Sequence, residues 1–217
     1  HSIFLTKSVN RCSRTISLTW YPYDHWQPGV LQYDVYASTN GSPYVLEQTL
    51  PATTLSYNLT GFNDGDSICV NVVAVQTTTS YTSTSNTLCE KFNVVQPAND
   101  LYIRNVTVSA PDHVDVYYSM DSLADLVSLR IERSLDSVLF SPLAAINIPG
   151  DLSVTNIFSD TTANTGDLSY FYRIIAVDSC NGQDTSSIAK SILLSGYAFS
   201  DLSFLLNWDE AFIEHGT

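Results

Sequence analysis

The residues of this chain that can do chemistry are few and scattered. Gly65-Asp66-Ser67-Ile68 has the look of a serine nucleophile block. That chemistry needs the serine just after a strand, an Asp-x-x-His element and oxyanion donors. Here no Asp-x-x-His follows, the serine opens a strand, and an Asp-Gly turn is an ordinary strand connector. His1, His25, His113 and His215 share no metal-ligand spacing and read as solvated surface histidines. Cys12, Cys69, Cys89 and Cys180 contain no C-x-x-C pair, which argues against a zinc or dithiol redox site. Paired carboxylates for glycoside hydrolysis need a cleft between them, which a small β-sandwich does not offer. No catalytic residue, metal or cofactor is expected. One constellation suits binding: Tyr21, Tyr23 and Trp26 cluster in one loop. Exposed rings there would stack on sugars or anchor a partner protein; the plainer alternative is that, with Pro22, they cap the end of a domain.

The elements that must position these residues are strands. Short alternating runs rich in Val, Ile, Tyr and Thr are broken by Gly, Pro, Asn and Asp throughout. Strands are expected near 2–8, 15–21, 31–38, 44–49, 54–59, 67–76 and 85–94, then near 101–109, 113–119, 127–134, 139–146, 152–157, 168–178 and 184–190. Gln27-Pro28-Gly29, Asn40-Gly41-Ser42 and Asn63-Asp64-Gly65-Asp66 mark turns. The pattern repeats. Ser2-Ile3-Phe4-Leu5 leads to Ile16-Ser17-Leu18-Thr19-Trp20, Leu101-Tyr102-Ile103-Arg104 leads to Val114-Asp115-Val116-Tyr117, and Ser191-Ile192-Leu193-Leu194 leads to Phe204-Leu205-Leu206-Asn207-Trp208. The period of about ninety-odd residues is that of one small sandwich. The expected fold class is all-β: two immunoglobulin-like, seven-stranded sandwiches at 1–95 and 96–190, with the first two strands of a third at 191–217. On this reading the chain is a piece of a longer array, and its first partners are other modules of the same polypeptide.

Cys69 begins the sixth strand and Cys89 lies in the seventh. Counted outward from a hairpin centred on Thr79, they face each other, and a cross-strand disulfide is expected. The last two runs form only a hairpin, which is marginal alone in water. Leu193, Leu194, Phe204, Leu205, Leu206 and Trp208 would expose an apolar face, so a dimer through residues 191–208 is a possible partner state.

Composition narrows the function. Only 14% of residues are charged, while the formal net charge is -13 and the isoelectric point about 4.3. Such a surface repels phosphate backbones, so nucleic acid is not expected as a partner. No apolar run reaches the length of about 20 residues that spans a membrane, so membrane insertion is not expected either.

At this point the residues meet a family. Leu59-Thr60-Gly61-Phe62-Asn63-Asp64-Gly65-Asp66-Ser67-Ile68-Cys69-Val70-Asn71-Val72-Val73-Ala74-Val75 resembles the E–F region of fibronectin type III modules. In those modules a leucine-glycine turn precedes an aromatic residue and a Val-x-Val-x-Ala-Val strand. Trp20 matches the core tryptophan of strand B, and Tyr33-Asp34-Val35-Tyr36 matches strand C. Ser169-Tyr170-Phe171-Tyr172-Arg173-Ile174-Ile175-Ala176-Val177 repeats the strand F pattern, with Tyr170 as a corner tyrosine. Ile68 stands at that place in the first unit, whose corner must be held otherwise, with Cys69 beside it as the suggested means. Thr19-Trp20-Tyr21-Pro22-Tyr23-Asp24-His25-Trp26, Ile131-Glu132-Arg133-Ser134 and Val177-Asp178-Ser179-Cys180-Asn181-Gly182 look like the tandem modules of large secreted Bacteroidota proteins, many of which carry a gliding motility-associated C-terminal domain and use type IX secretion.

The resemblance implies more. In this fold the A–B loop lies at the pole where the chain leaves a module, and the F–G loop at the pole where it enters. Cys12 is in the first and Cys180 in the second, so an interdomain disulfide is implied; two free or externally paired thiols remain the alternative. Disulfides point to an oxidising, extracellular or cell-surface location. The implied function is a non-catalytic spacer or adhesion segment that meets a protein or glycan at the cell surface. The alternative is a carbohydrate-binding or positioning module beside a secreted glycan-degrading enzyme, with Tyr21, Tyr23 and Trp26 as the contacts.

Overall fold

A computed structural model describes residues 3–79, 81–148 and 156–213. The chain divides into two compact units, His1–Val94 and Val95–Thr217. No helix occurs among the described residues, and none is therefore long and apolar enough to cross a membrane, which leaves β-barrel crossing unaddressed.

The first unit contains β1 (Leu5–Asn10), β2 (Thr15–Trp20), β3 (Val30–Thr39), β4 (Val45–Pro51), β5 (Ser56–Thr60), β6 (Ser67–Gln76), β7 (Thr82–Thr84) and β8 (Leu88–Lys91). One sheet has the order β1-β2-β5. The other has the order β4-β3-β6, with β7 and β8 successive pieces of one strand along the far edge of β6. All pairings are antiparallel. The period-two alternation of sequence is also the alternation of burial. Ile16, Leu18 and Trp20 of β2 face Tyr33, Val35, Val72 and Ala74 in one core. Each fully buried aliphatic side chain contributes about 1.5–3 kcal/mol.

The second unit repeats the plan. It contains β9 (Tyr102–Ala110), β10 (His113–Ser119), β11 (Leu126–Ser134), β12 (Ser141–Asn147), β13 (Asn156–Asp160), β14 (Phe171–Asp178), β15 (Gln183–Thr185) and β16 (Ala189–Lys190). One sheet is β13-β10-β9. The other is β12-β11-β14, with β15 and β16 sharing the edge of β14. Part of the strand expected at 152–157 lies outside the described residues; β13 starts at Asn156.

The all-β, two-sheet sandwich is the fold expected, with a correction at the last strand. The sequence reads as one strand at 85–94 and one at 184–190; the structure has β7 just before the first range with β8 inside it, and β15 and β16 at the two ends of the second. Ser85 and Ser186 are buried at the breaks, where a side chain takes over from the backbone ladder.

The expected hairpin forms as β17 (Leu194–Ala198) and β18 (Phe204–Trp208), within the second unit. Its base is fastened to β16. Lys190 pairs with Asp209, the Lys190 amide donates to the Phe212 carbonyl at 2.8 Å, and Ala189 bridges Ile213.

Candidate functional site

The aromatic loop follows from the alternation of β2. Inward residues end at Trp20, so Tyr21 points outward, and it lies against exposed Phe4 with ring centroids 6.4 Å apart and an interplanar angle of 28°. The Tyr21 amide donates to the Phe4 carbonyl at 3.3 Å, which fixes the pair. Pro22 then turns the chain. Tyr23 and Trp26, with centroids 4.6 Å apart, are partly buried against the core. The Tyr23 amide donates to Tyr33 Oη at 2.9 Å, and the Gly29 carbonyl accepts from the Thr77 amide at 3.2 Å. Gly29 sits at φ 83°, a conformation that favours glycine. The structure thus brings Tyr23 and Trp26 together as a cap and sets Tyr21 apart with Phe4. Next along the same face lie Thr6 and Thr19, paired on β1 and β2, whose hydroxyls are 2.7 Å apart. Phe4 escaped the sequence reading because it is far from Tyr21 along the chain and meets it only through β1–β2 pairing.

Cys69 and Cys89 stand directly opposite on β6 and β8, with Cα atoms 4.0 Å apart, and are bonded. Cys12 lies in the β1–β2 turn, where its amide donates to Asn10 Oδ1 at 3.0 Å. Cys180 lies in the β14–β15 turn, where its amide donates to Asp178 Oδ1 at 2.7 Å. Gly182 closes that turn: a Cβ there would fall 2.5 Å from Asp178 Oδ2.

The carboxylates that sequence alone leaves open as reactive groups are occupied by structure. Asp66 of the serine-block motif accepts from Asn40 Nδ2 at 2.9 Å and from the Asn63 amide at 2.8 Å. These bonds, the Asn40 one foremost, hold its carboxyl below the usual range. The Ser67 amide donates to Asn40 Oδ1 at 2.8 Å, so the motif is a clasped corner. In the second unit Tyr170 Oη accepts from the Asn164 amide at 3.0 Å, the bond back to nearby backbone expected of a corner tyrosine.

A buried cluster in the second unit carries no sequence motif. Asp160, whose side chain is 1% exposed, accepts from Arg133 Nη1 at 2.7 Å, Tyr172 Oη at 2.8 Å and the Thr162 amide at 2.9 Å. Burial pushes this carboxyl up, but the bonds from Thr162, Tyr172 and Arg133 outweigh it and the net shift is downward. Burial and the Asp160 carboxylate both raise the Tyr172 phenol. The Arg133 guanidinium also lies 4.6 Å from the Tyr170 ring centroid. Nearby on β11, Glu132 binds Arg130 and Arg173, each at 2.7 Å. These arrangements join neighbouring strands. Among the described residues, no group of three or more His, Cys, Asp or Glu is placed to hold a metal.

No family model matches the chain, and no curated protein matches it. Solved structures do. A pectate lyase from Erwinia chrysanthemi in complex with tetragalacturonic acid aligns at 21% identity over 41% of this chain, with a TM-score of 0.36; this chain covers 28% of that one. A second structure of the same lyase aligns at 21% identity over 41% of this chain, with a TM-score of 0.35, and is covered over 27% of its length. A two-domain fibronectin type III segment from chicken tenascin aligns at 16% identity over 88% of this chain and 97% of that one, with a TM-score of 0.36. Strand order and register within each unit make the chain an all-β protein of antiparallel sandwiches.

Proposed function

We propose that the chain is a non-catalytic extracellular segment, a spacer or adhesion element of a large secreted or cell-surface bacterial protein of the type IX secretion class. One observation carries the reading: the polar groups that might do chemistry are spent on holding the sandwiches. Asp66, Asp160, Glu132 and Asp209 all accept local hydrogen bonds or ion pairs. At least five of the nine Lys and Arg side chains pair with carboxylates. The Cys69–Cys89 bridge supports an oxidising location. Its partners are neighbouring modules and a protein or glycan at the cell surface. Labelling intact producing bacteria with a membrane-impermeant reagent tests this: the chain should be labelled, and a chain recovered only from the cytosolic fraction with reduced cysteines would sink the proposal.

A specific observation favours a second reading, carbohydrate binding. Tyr21 and Phe4 form an exposed, nearly parallel pair bordered by the Thr6 and Thr19 hydroxyls. Retention on insoluble polysaccharides, lost in Tyr21→Ala and in Phe4→Ala, would favour this reading over simple spacing.

A further inference from the structure

The outer face of the β1-β2-β5 sheet in the first unit is uniform in its chemistry. Residues directly opposite share a face, and so do alternate residues of one strand. The first row across the sheet is therefore Thr6, Thr19 and Ser56. The second is Ser8, Ser17 and Asn58, and the third Asn10, Thr15 and Thr60. Every member carries a hydroxyl or a carboxamide, none is charged, and all are exposed or half-buried. Exposed Phe4 and Tyr21 continue the face beyond the first row.

The fold does not require such a face. On the corresponding sheet of the second unit, Asp115 stands between Thr107 and Ser159, and Tyr117 between Asn105 and Ile157. Nor are the groups consumed internally. Thr6 and Thr19 bond to each other, and Asn10 and Thr15 are engaged at the β1–β2 turn. The side chains of Ser8, Ser17, Ser56, Asn58 and Thr60 bond to no other protein group among the described residues. Each hydroxyl offers a donor and two acceptor sites, and each carboxamide two of both.

Along the strands these rows repeat about every 6.7 Å, and neighbouring columns lie about 4.8 Å apart. The unfilled groups thus form a lattice. Its match is a lattice of hydroxyls that both donate and accept and carry no charge, which is a neutral polysaccharide. A uronic-acid polymer would meet the repulsion of a chain with formal net charge -13. A peptide would bring charged and apolar side chains for which the nine positions hold no counterpart. An open sheet face grips each sugar weakly, so its affinity is summed over many sugars in line. That suits a long chain or the surface of an insoluble polymer.

We propose that the outer face of β1, β2 and β5 is a binding surface for neutral polysaccharide. Phe4 and Tyr21 stack on sugar rings at one end, and Ser17 and Asn58 in the middle row bond sugar hydroxyls. The inference rests on the carbohydrate-binding reading of Phe4 and Tyr21 and extends it to a ligand class and a whole sheet face.

Co-sedimentation with insoluble cellulose, xylan and mannan, beside affinity electrophoresis in polygalacturonate, tests it. The expected result is retention by at least one neutral polymer and none by polygalacturonate. Ser17→Ala/Asn58→Ala leaves the rings in place and should weaken that retention about 10-fold or more. Asn105→Ala/Thr107→Ala, on the corresponding face of the second unit, should leave it within about twofold. Should the first double variant lose its thermal transition, Ser56→Ala/Thr60→Ala on the edge strand takes its place. Full retention in the face variants, with loss in Tyr21→Ala and Phe4→Ala, would overturn this proposal and leave the ring pair as the whole site. No retention of the unaltered chain on any of the polymers would overturn both readings. Preference for polygalacturonate would overturn the neutral class and with it the proposal.

Discussion

The hydroxyl of Ser186 accepts a hydrogen bond from the Ile174 amide at 2.9 Å, in place of a strand partner, where the last strand of the second sandwich breaks. The Ser186 amide donates in turn to the Ile174 carbonyl at 2.8 Å. The first sandwich uses the same device, with Ser85 on Val72 at the same two distances. The next residue then crosses to the other sheet. Asn86 Oδ1 accepts from the Leu5 amide at 2.8 Å, and Ser187 Oγ accepts from the Ile103 amide at 3.1 Å. The break is thus a stitch between the two layers. Ser85→Ala or Ser186→Ala strands a buried amide, so each should destabilise its own unit by about 1–3 kcal/mol. Urea unfolding followed unit by unit checks this. A loss below about 0.5 kcal/mol would mean that water replaces the hydroxyl.

The Cys69–Cys89 bridge closes a loop of 20 residues on the edge of the first sandwich. In the chain-entropy account such a loop is worth about 3 kcal/mol. The Cys69→Ala/Cys89→Ala protein should lose about that much in the first unit alone. Dithiothreitol should lower the transition of the unaltered first unit to a similar degree and leave the variant's unmoved. An unchanged midpoint in the variant would show that the Asn40–Asp66 clasp and the Phe92 amide bond to the Asp66 carbonyl suffice at this corner.

Asp160 joins the sheets of the second unit, since it ends β13 and binds Arg133 of β11 and Tyr172 of β14. Asp160→Asn leaves a guanidinium at a buried site without its carboxylate and should cost the second unit about 3 kcal/mol. The pH dependence has a definite sign. The folded carboxyl sits below its unfolded value of 3.8, so its contribution is complete above that value and is lost as pH falls through the lower, folded one. Acid titration of the second unit's stability should therefore fall less steeply below about pH 4 in Asp160→Asn. Equal slopes in the two proteins would assign the acid sensitivity to other carboxylates.

The sandwiches were legible because alternation along a strand and burial across a sheet are one physical pattern. Ile16, Leu18 and Trp20 on β2, and Tyr170 at its corner, could be placed from sequence for that reason. The features that escaped depend on contacts between sheets. Asp160 and Arg133 are separated by the whole β12 hairpin and meet only because their strands lie in facing layers. The broken last strands read as continuous because Thr and Ser suit strands, and only burial distinguishes a serine that replaces a ladder bond. Proximity in sequence groups Tyr21 with Tyr23 and Trp26, whereas the alternation of β2 sends Tyr21 outward to Phe4 and Pro22 turns the other two back to the core.

The remaining prediction concerns Cys12 and Cys180, each held in a turn of its own unit. In the first unit Arg11 Nε, beside Cys12, donates to the Asn93 carbonyl at 2.7 Å. In the second, the Ser179 amide, beside Cys180, donates to the Asp125 carbonyl at 3.0 Å. Asp125 in turn exchanges bonds with Gln96, its amide donating at 2.9 Å and its carboxylate accepting at 3.0 Å. The resemblance of the sequence to fibronectin type III modules implies a bridge between the two cysteines, and on that expectation non-reducing peptide mapping should yield a Cys12–Cys180 linked peptide beside the Cys69–Cys89 one. A bridge of this kind removes the freedom that a short linker leaves, so the two units should unfold in one transition when oxidised. The Cys12→Ser/Cys180→Ser protein should show two. Alkylation of Cys12 and Cys180 in the native protein without reductant would refute the bridge.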